Sequence, residues 1–144
     1  MTIEIRRIGR ADAALLDRVA EDVFDEDIEP GLLAAYLADD RHMMILALSD
    51  GVVVGQTRGI LHLHPDQPRE LYIDNMGVTP ARQREGIAGR MLDDLLAWGR
   101  EKGCAYAWLG TELDNVAARG LYESRGAKGT EMVIYEYGAD DEED

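Results

Sequence analysis

Residues 71–102 constrain this chain more than any other segment. An apolar run, Leu71 to Val78, leads into Gln83-Arg84-Glu85-Gly86-Ile87-Ala88-Gly89, and an amphipathic stretch follows to about Lys102. A strand, a short basic glycine-containing loop and a helix form a device for holding phosphate. The first N–H groups of a helix lack intrahelical partners, and the helix dipole places roughly half a positive charge beside them. Gly86 lets the backbone approach a ligand, and Arg82 and Arg84 add positive charge. No Gly-Lys-Ser/Thr follows, so this is not a Walker loop, and G-x-G-x-x-G is absent, which leaves a dinucleotide fold little support.

The flanking sequence supplies the scaffold. Ile3 to Ile8 alternates as a strand, and Leu15, Leu16, Val19, Ala20, Val23 and Phe24 recur at helical spacing, predicting a helix over 12–24. An acidic loop, Asp25 to Pro30, precedes a short helix at Leu32 to Leu37. Met43 to Leu48 and Val52 to about Leu63 read as a hairpin closed by Asp50-Gly51. After the helix that Gly103 stops, Ala105 to Leu109 is a strand, Asn115 to Ser124 a helix and Met132 to Tyr137 a last strand. This order, β-α-α-β-β-β-α-β-α-β, predicts an α/β (α+β) sandwich around a mixed, mainly antiparallel sheet flanked by helices. A single domain over residues 1–138 is expected, with 139–144 an acidic, solvated tail.

Charge narrows the partners. Twenty-nine Asp and Glu stand against 15 Lys and Arg, a net charge of −14. A nucleic-acid binder gains its affinity by neutralising phosphates, so this balance argues against one and suits a cationic substrate. No apolar run approaches the ~20 residues that span a membrane, no signal peptide is evident, and a soluble cytoplasmic protein is expected. The single cysteine, Cys104, excludes an internal disulfide framework and reads as a small core residue. His42, His62 and His64 are candidate bases; no metal motif is evident, because a third ligand is not.

A second motif is more specific. In Asn115-Val116-Ala117-Ala118-Arg119-Gly120-Leu121-Tyr122-Glu123-Ser124-Arg125-Gly126, Asn115 can cap a helix, Ala118 is small enough for close approach, and Gly126 ends the helix. Tyr122 carries a hydroxyl that can donate a proton. This segment resembles the N-x-x-A-x-x-L-Y-x-x-x-G signature of the GNAT superfamily of acyl-coenzyme A-dependent N-acetyltransferases at every position of that pattern. Gln83, Gly86 and Ala88 match that superfamily's pyrophosphate loop, [Q/R]-x-x-G-x-[G/A], and the element order is also that of its fold.

The resemblance implies acetyl-CoA as cofactor. It would be held by Gln83 through Gly89 (Gln83, Arg84, Glu85, Gly86, Ile87, Ala88, Gly89), by the backbone of Met76, Gly77 and Val78, and by Asn115, Ala118 and Tyr122. It implies that the Leu71–Val78 strand splays from Ala105–Leu109 to admit the acetyl-pantetheine arm, and that Tyr122 acts as general acid toward the departing thiolate. Gly77 reads alternatively as a bulge.

The reaction needs a neutral amine, so a carboxylate, directly or through water, should take its proton. Asp74, odd inside an apolar strand, and Glu112 are the candidates. A backbone N–H near Met76 is the simplest donor to the acetyl carbonyl. Within the superfamily the chain most resembles the short aminoglycoside 3-N-acetyltransferases. The acidic segment around Asp25, Glu26 and Asp27, the Tyr72-Ile73-Asp74 strand and the Glu112 region carry that likeness, although an aspartate matches Glu112 in those enzymes. The implied substrate is a polycationic amine, an aminoglycoside, bound by Asp25, Glu26, Asp27, Asp74 and Glu112, and a homodimer is implied as well. The alternatives are a protein or peptide N-acetyltransferase and a non-catalytic acyl-coenzyme A binding module.

Overall fold

Asp50 and Gly51 both adopt left-handed backbone, with φ of 51° and 78°, as a two-residue turn matched to strand twist requires. The turn joins two strands of a five-stranded sheet. In the computed structural model, which describes residues 2–138, the chain forms two units, one ending at Leu109 and the other beginning at Gly110. The first unit holds β1 (Glu4–Ile8), a 3-10 helix (Arg10–Asp17), α1 (Pro30–Ala38), β2 (His42–Ser49), β3 (Val52–His62), β4 (Glu70–Val78), a 3-10 turn (Pro80–Arg82), α2 (Ile87–Glu101) and β5 (Ala107–Trp108). The strands lie in sequence order, β1 to β4 antiparallel and β5 parallel to β4. This is the mixed, mainly antiparallel sheet flanked by helices that the sequence predicts.

The apolar pattern explains the layers. Ile87, Met91, Leu92, Leu95 and Trp98 of α2 are buried, one stripe at helical spacing. Each such burial contributes about 1.5–3 kcal/mol. Arg7 of β1 bridges two carboxylates of α2, at 3.0 Å from Asp94 and 2.7 Å from Glu101. That hydrogen bonding holds the Glu101 carboxyl below its ordinary pKa. A second cluster joins Ile8, Leu16, Val23, Leu37, Met44, Leu46, Leu48 and Val53, with Phe24, Leu33 and Tyr36 packed against it. Pro30 opens α1, and Glu29 caps it by accepting from the N–H groups of Gly31 and Leu32 at 3.0 and 2.9 Å.

The β4–β5 pairing is confined to Leu71–Ala107 and Tyr72–Trp108. β5 ends at Trp108, shorter than the expected 105–109, so the pairing with β4 stops at Tyr72. The register of β3 with β4 slips between Arg58–Asn75 and Gly59–Ile73, which leaves Asp74 as the extra residue of a bulge. The bulge therefore lies at Asp74 and not at Gly77.

Two other expectations are corrected. The helix over 12–24 ends as a 3-10 helix at Asp17, because the next residues take sheet-like bonds. The Ala20 N–H donates to the Val53 carbonyl and the Val53 N–H to the Arg18 carbonyl, both at 2.9 Å. In the second unit, α3 (Val116–Ser124) forms as expected, but residues 132–137 are irregular and exposed rather than a strand. Alternating apolar residues need a neighbouring strand to become a ladder, and local propensity does not supply one. The acidic tail, 139–144, lies outside the described residues.

Two stability tests follow from the first unit. A Cβ on Gly77 would collide with the Val23 carbonyl oxygen. Gly77→Ala should therefore cost about 1–3 kcal/mol in urea unfolding, and a loss-free variant would show that the Val23 segment yields. Backbone hydrogen bonds lower the Glu29 pKa, so the cap is fully present above the unfolded value of about 4.3 and is lost as pH falls through the lower folded value. Glu29→Ala should lower the melting temperature at neutral pH, and the gap from wild type should close in acid. A gap unchanged down to pH ~3 would assign the effect to something other than the carboxylate.

Candidate functional site

β4 ends at Val78, and the backbone then turns through Pro80–Arg82 to reach α2. Gly86 is the residue before the helix, in left-handed backbone with φ of 80° and open space where a Cβ would stand. The geometry needs glycine for its dihedral rather than for want of room. The Arg90 N–H donates to the Gly86 carbonyl at 3.2 Å, so the N–H groups of Ile87, Ala88 and Gly89 precede the first intrahelical bond. No side chain caps this terminus. Unpaired N–H groups at a helix start are the kind of feature that can receive an anion.

The loop's cations are not equivalent. Arg82 is engaged, with Nε 3.0 Å from Glu85 and Nη1 3.0 Å from the Ser49 hydroxyl. It stiffens the loop, so its charge is already offset by Glu85. Arg84 is exposed and has a φ of 68°, which turns the backbone before Gly86. The Gln83 amide donates to the Val78 carbonyl at 3.2 Å, tying the loop to the end of β4.

The other half of the site in this unit lies across β3 and β4. Gln56 is fully buried, and its Nε2 donates to the Val23 carbonyl at 3.1 Å and to Asn75 Oδ1 at 2.8 Å. The Thr57 hydroxyl donates to the Asn75 carbonyl at 2.8 Å. These bonds give the polar residues of β4 a structural reason and bring the segment that opens the acidic loop against Gly77. Asp25, Glu26 and Asp27 follow two to four residues after Val23 and are exposed. Asp74 is exposed at the bulge.

Tyr36, Arg58 and Phe24 also belong to this region. Burial above all pushes the Tyr36 hydroxyl well above its ordinary pKa; the Arg58 charge lowers it and Asp74 raises it further. The Arg58 guanidinium carbon lies 5.8 Å from the Phe24 ring centre. The buried Tyr36 hydroxyl has no hydrogen-bond partner among the described residues. Sequence reasoning passed over Tyr36, Arg58 and Gln56 and read Phe24 only as part of an apolar helix face. The available signal was polar Gln56-Thr57-Arg58 inside an otherwise apolar strand.

Tyr122, Glu112, Asn115 and Ala118 belong to the second unit. The Asn115 side chain accepts from the Ala118 N–H at 3.1 Å, the cap expected of it. Gly126 follows α3 with φ of 90°, and the Ala127 N–H donates to the Tyr122 carbonyl at 3.1 Å, closing the helix end. Tyr122 is half-buried, and that burial pushes its hydroxyl above the ordinary value, so it holds its proton at neutral pH. Glu112 is exposed. Cys104 is buried, and burial raises its thiol pKa, which suits a core residue better than a nucleophile.

Known proteins resemble this chain in sequence and in fold. Residues 12–127 match the model of the acetyltransferase (GNAT) family. The chain is 34% identical to the N-alpha-acetyltransferase RimI of Mycobacterium tuberculosis over 126 residues, covering 86% of this chain and 77% of that protein. It is 25% identical to the aminoglycoside N(6')-acetyltransferase type 1 of Salmonella typhimurium, covering 70% and 77%. In fold it is similar to the aminoglycoside N-acetyltransferase AAC(6')-Iy in complex with coenzyme A, with a TM-score of 0.75 at 20% identity over 94% of each chain. On the matched family model and the 34% identity over 86% of the chain, the chain belongs to the GNAT acetyltransferase family and is an acetyl-CoA-dependent N-acetyltransferase.

Proposed function

We propose that this enzyme acetylates an amine of a polycationic small molecule, an aminoglycoside being the substrate class that fits best. The observation that carries the reading is the acidic loop at Asp25, Glu26 and Asp27. It is anchored through Val23 against Gly77 and accompanied by Asp74 at the strand bulge. Each exposed carboxylate contributes only about 0–1 kcal/mol, but several together hold a multivalent cation. Aminoglycoside acetyltransferases among the relatives add to this support.

The roles of the residues follow from their chemistry. Gln83 through Gly89 hold the pyrophosphate of acetyl-CoA, and the backbone of Met76, Gly77 and Val78 takes the arm that leads to the acetyl group. Bound there, acetyl-CoA supplies an acetyl group activated as a thioester. Asp74 or Glu112, directly or through water, takes the proton of the substrate ammonium. Tyr122 keeps a proton at Oη for the departing sulfur. Asn115 and Ala118 hold the start of α3 in the form that Tyr122 needs. The two units act together as one domain in this reading, and a cytoplasmic homodimer goes with the same resemblance.

The nitrogen acetylated separates finer readings. Resemblance to the short aminoglycoside enzymes points to the 3-N position, whereas the aminoglycoside relative above is named for 6'-N. Identity of 34% to an N-alpha-acetyltransferase favours a second reading, acetylation of a protein N-terminal amine. A screen of acetyl-CoA consumption over aminoglycosides, polyamines and N-terminal peptides decides among them, with the acetylated nitrogen located by NMR. Turnover on peptides alone would overturn the polycation reading.

Two further outcomes are expected. Tyr122→Phe should lower kcat by about 100-fold while the Kd for coenzyme A stays within a few-fold; unchanged turnover would remove Tyr122 as the acid. The KM for a polycationic acceptor should rise steeply with salt as the Debye length falls from about 30 Å at 0.01 M to about 3 Å at 1 M. A flat KM across that range would remove the acidic loop from substrate binding.

A further inference from the structure

The sequence offers two histidines, His62 and His64, with no evident third ligand; the fold supplies it. Glu70, eight residues after His62, begins β4 and is the direct cross-strand partner of His62, the last residue of β3. His62 and His64 are two apart, so an extended backbone sends both side chains to one face. Their rings lie 4.3 Å apart between centres, tilted by 37°. His64 Nε2 is 3.2 Å from Glu70 Oε2, yet it is buried and finds no well-aligned hydrogen bond among the described residues. One ligand atom from each of the three residues lies within 4.8 Å of the others.

We propose that His62, His64 and Glu70 form a zinc(II) site at the loop end of the β3–β4 hairpin. Two imidazole nitrogens and one carboxylate oxygen are the three-ligand set that zinc takes with a water in its fourth position. Zinc–ligand lengths of about 2.0–2.2 Å put tetrahedral ligand atoms about 3.4 Å apart. His64 and Glu70 already stand at 3.2 Å, and the widest pair in the cluster has to close by up to about 1.4 Å. His62 is exposed and also lines a cleft of about 280 Å³ with Arg41, Leu63, Tyr72 and Trp108. Harder ions such as magnesium prefer all-oxygen shells and do not fit this donor set.

The site is apart from the acetyl chemistry. Four steps along β4 separate Glu70 from Asp74, about 13 Å at 3.3 Å per residue. The ion would bridge the last residue pair of the hairpin, restraining the loop beyond it and the stem of β4, whose pairing with β5 begins at Leu71. Its role is that of a structural staple and does not depend on which amine is acetylated.

The test uses the full chain without a histidine tag, stripped with chelator and titrated with zinc chloride by calorimetry. One zinc per chain is expected, with a Kd tighter than about 10 µM. The thermal midpoint should rise with zinc and stay unchanged with magnesium. His64→Ala and Glu70→Ala should each weaken binding by at least about tenfold while circular dichroism remains that of the wild type. His62→Asn, an exposed position, should do the same if either of those variants loses its fold. Absence of binding in the folded wild type overturns the proposal. So does zinc affinity that survives all three substitutions, because the ion would then lie elsewhere.

Discussion

The buried amide of Gln56 is the interaction on which the site of the first unit depends. One donor group, fully removed from solvent, holds both the Val23 carbonyl and the Asn75 side chain. A buried amide left without partners costs about 1–3 kcal/mol, so the two segments it joins are fixed relative to β3. Val23 opens the acidic loop, and Asn75 follows the bulge. The loop that carries the negative charge and the strand that carries Asp74 are thus registered to one side chain. The missing side chain of Gly77 permits the same approach from the other direction.

A separate constraint sets the donor end. Gly86 accepts a dihedral that other residues resist, so the three N–H groups at the start of α2 face outward from a turn rather than into a continued helix. Arg82 acts through geometry: its bonds to Glu85 and Ser49 pin the loop to the end of β2. Most of the positive character of the cradle then comes from backbone, with Arg84 beside it. Unlike the start of α1, where the Glu29 carboxylate accepts from the Gly31 and Leu32 N–H groups, the start of α2 carries no side-chain cap, which matters in a chain of net charge −14.

Much of this was legible in the sequence because it is local. The Asp50-Gly51 turn, the stripe from Ile87 to Trp98 and the Asn115 cap are each decided within a few residues, and each forms as read. What was not legible depends on distant partners. Val19 and Ala20 leave a helical pattern because Arg18 and Ala20 exchange bonds with Val53, more than thirty residues away. The apolar alternation at 132–137 reads as a strand, but a strand is defined by a neighbour that sequence does not name. Tyr36 and Arg58 join the site by folding alone, and Glu70 becomes a third ligand beside His62 and His64 only through strand register. The candidate site was therefore readable in its motifs, while its walls were not.

The bulge at Asp74 also sets the parity of β4. Before it, odd-numbered Leu71 lies against Gly99 of α2; after it, odd-numbered Gly77 lies against Val23. One unpaired residue exchanges the two faces of the strand for everything downstream. Substituting Asp74 and deleting it are consequently different operations. A substitution changes a charge and leaves the faces as they are. A one-residue deletion would remove the bulge, set Asn75 directly after Ile73 opposite the consecutive Arg58 and Gly59, and leave Asn75 and Gly77 on the faces they already occupy. What a deletion would take away is the local bend that the extra residue puts into β4, together with the carboxylate it presents, a change of shape rather than of facing.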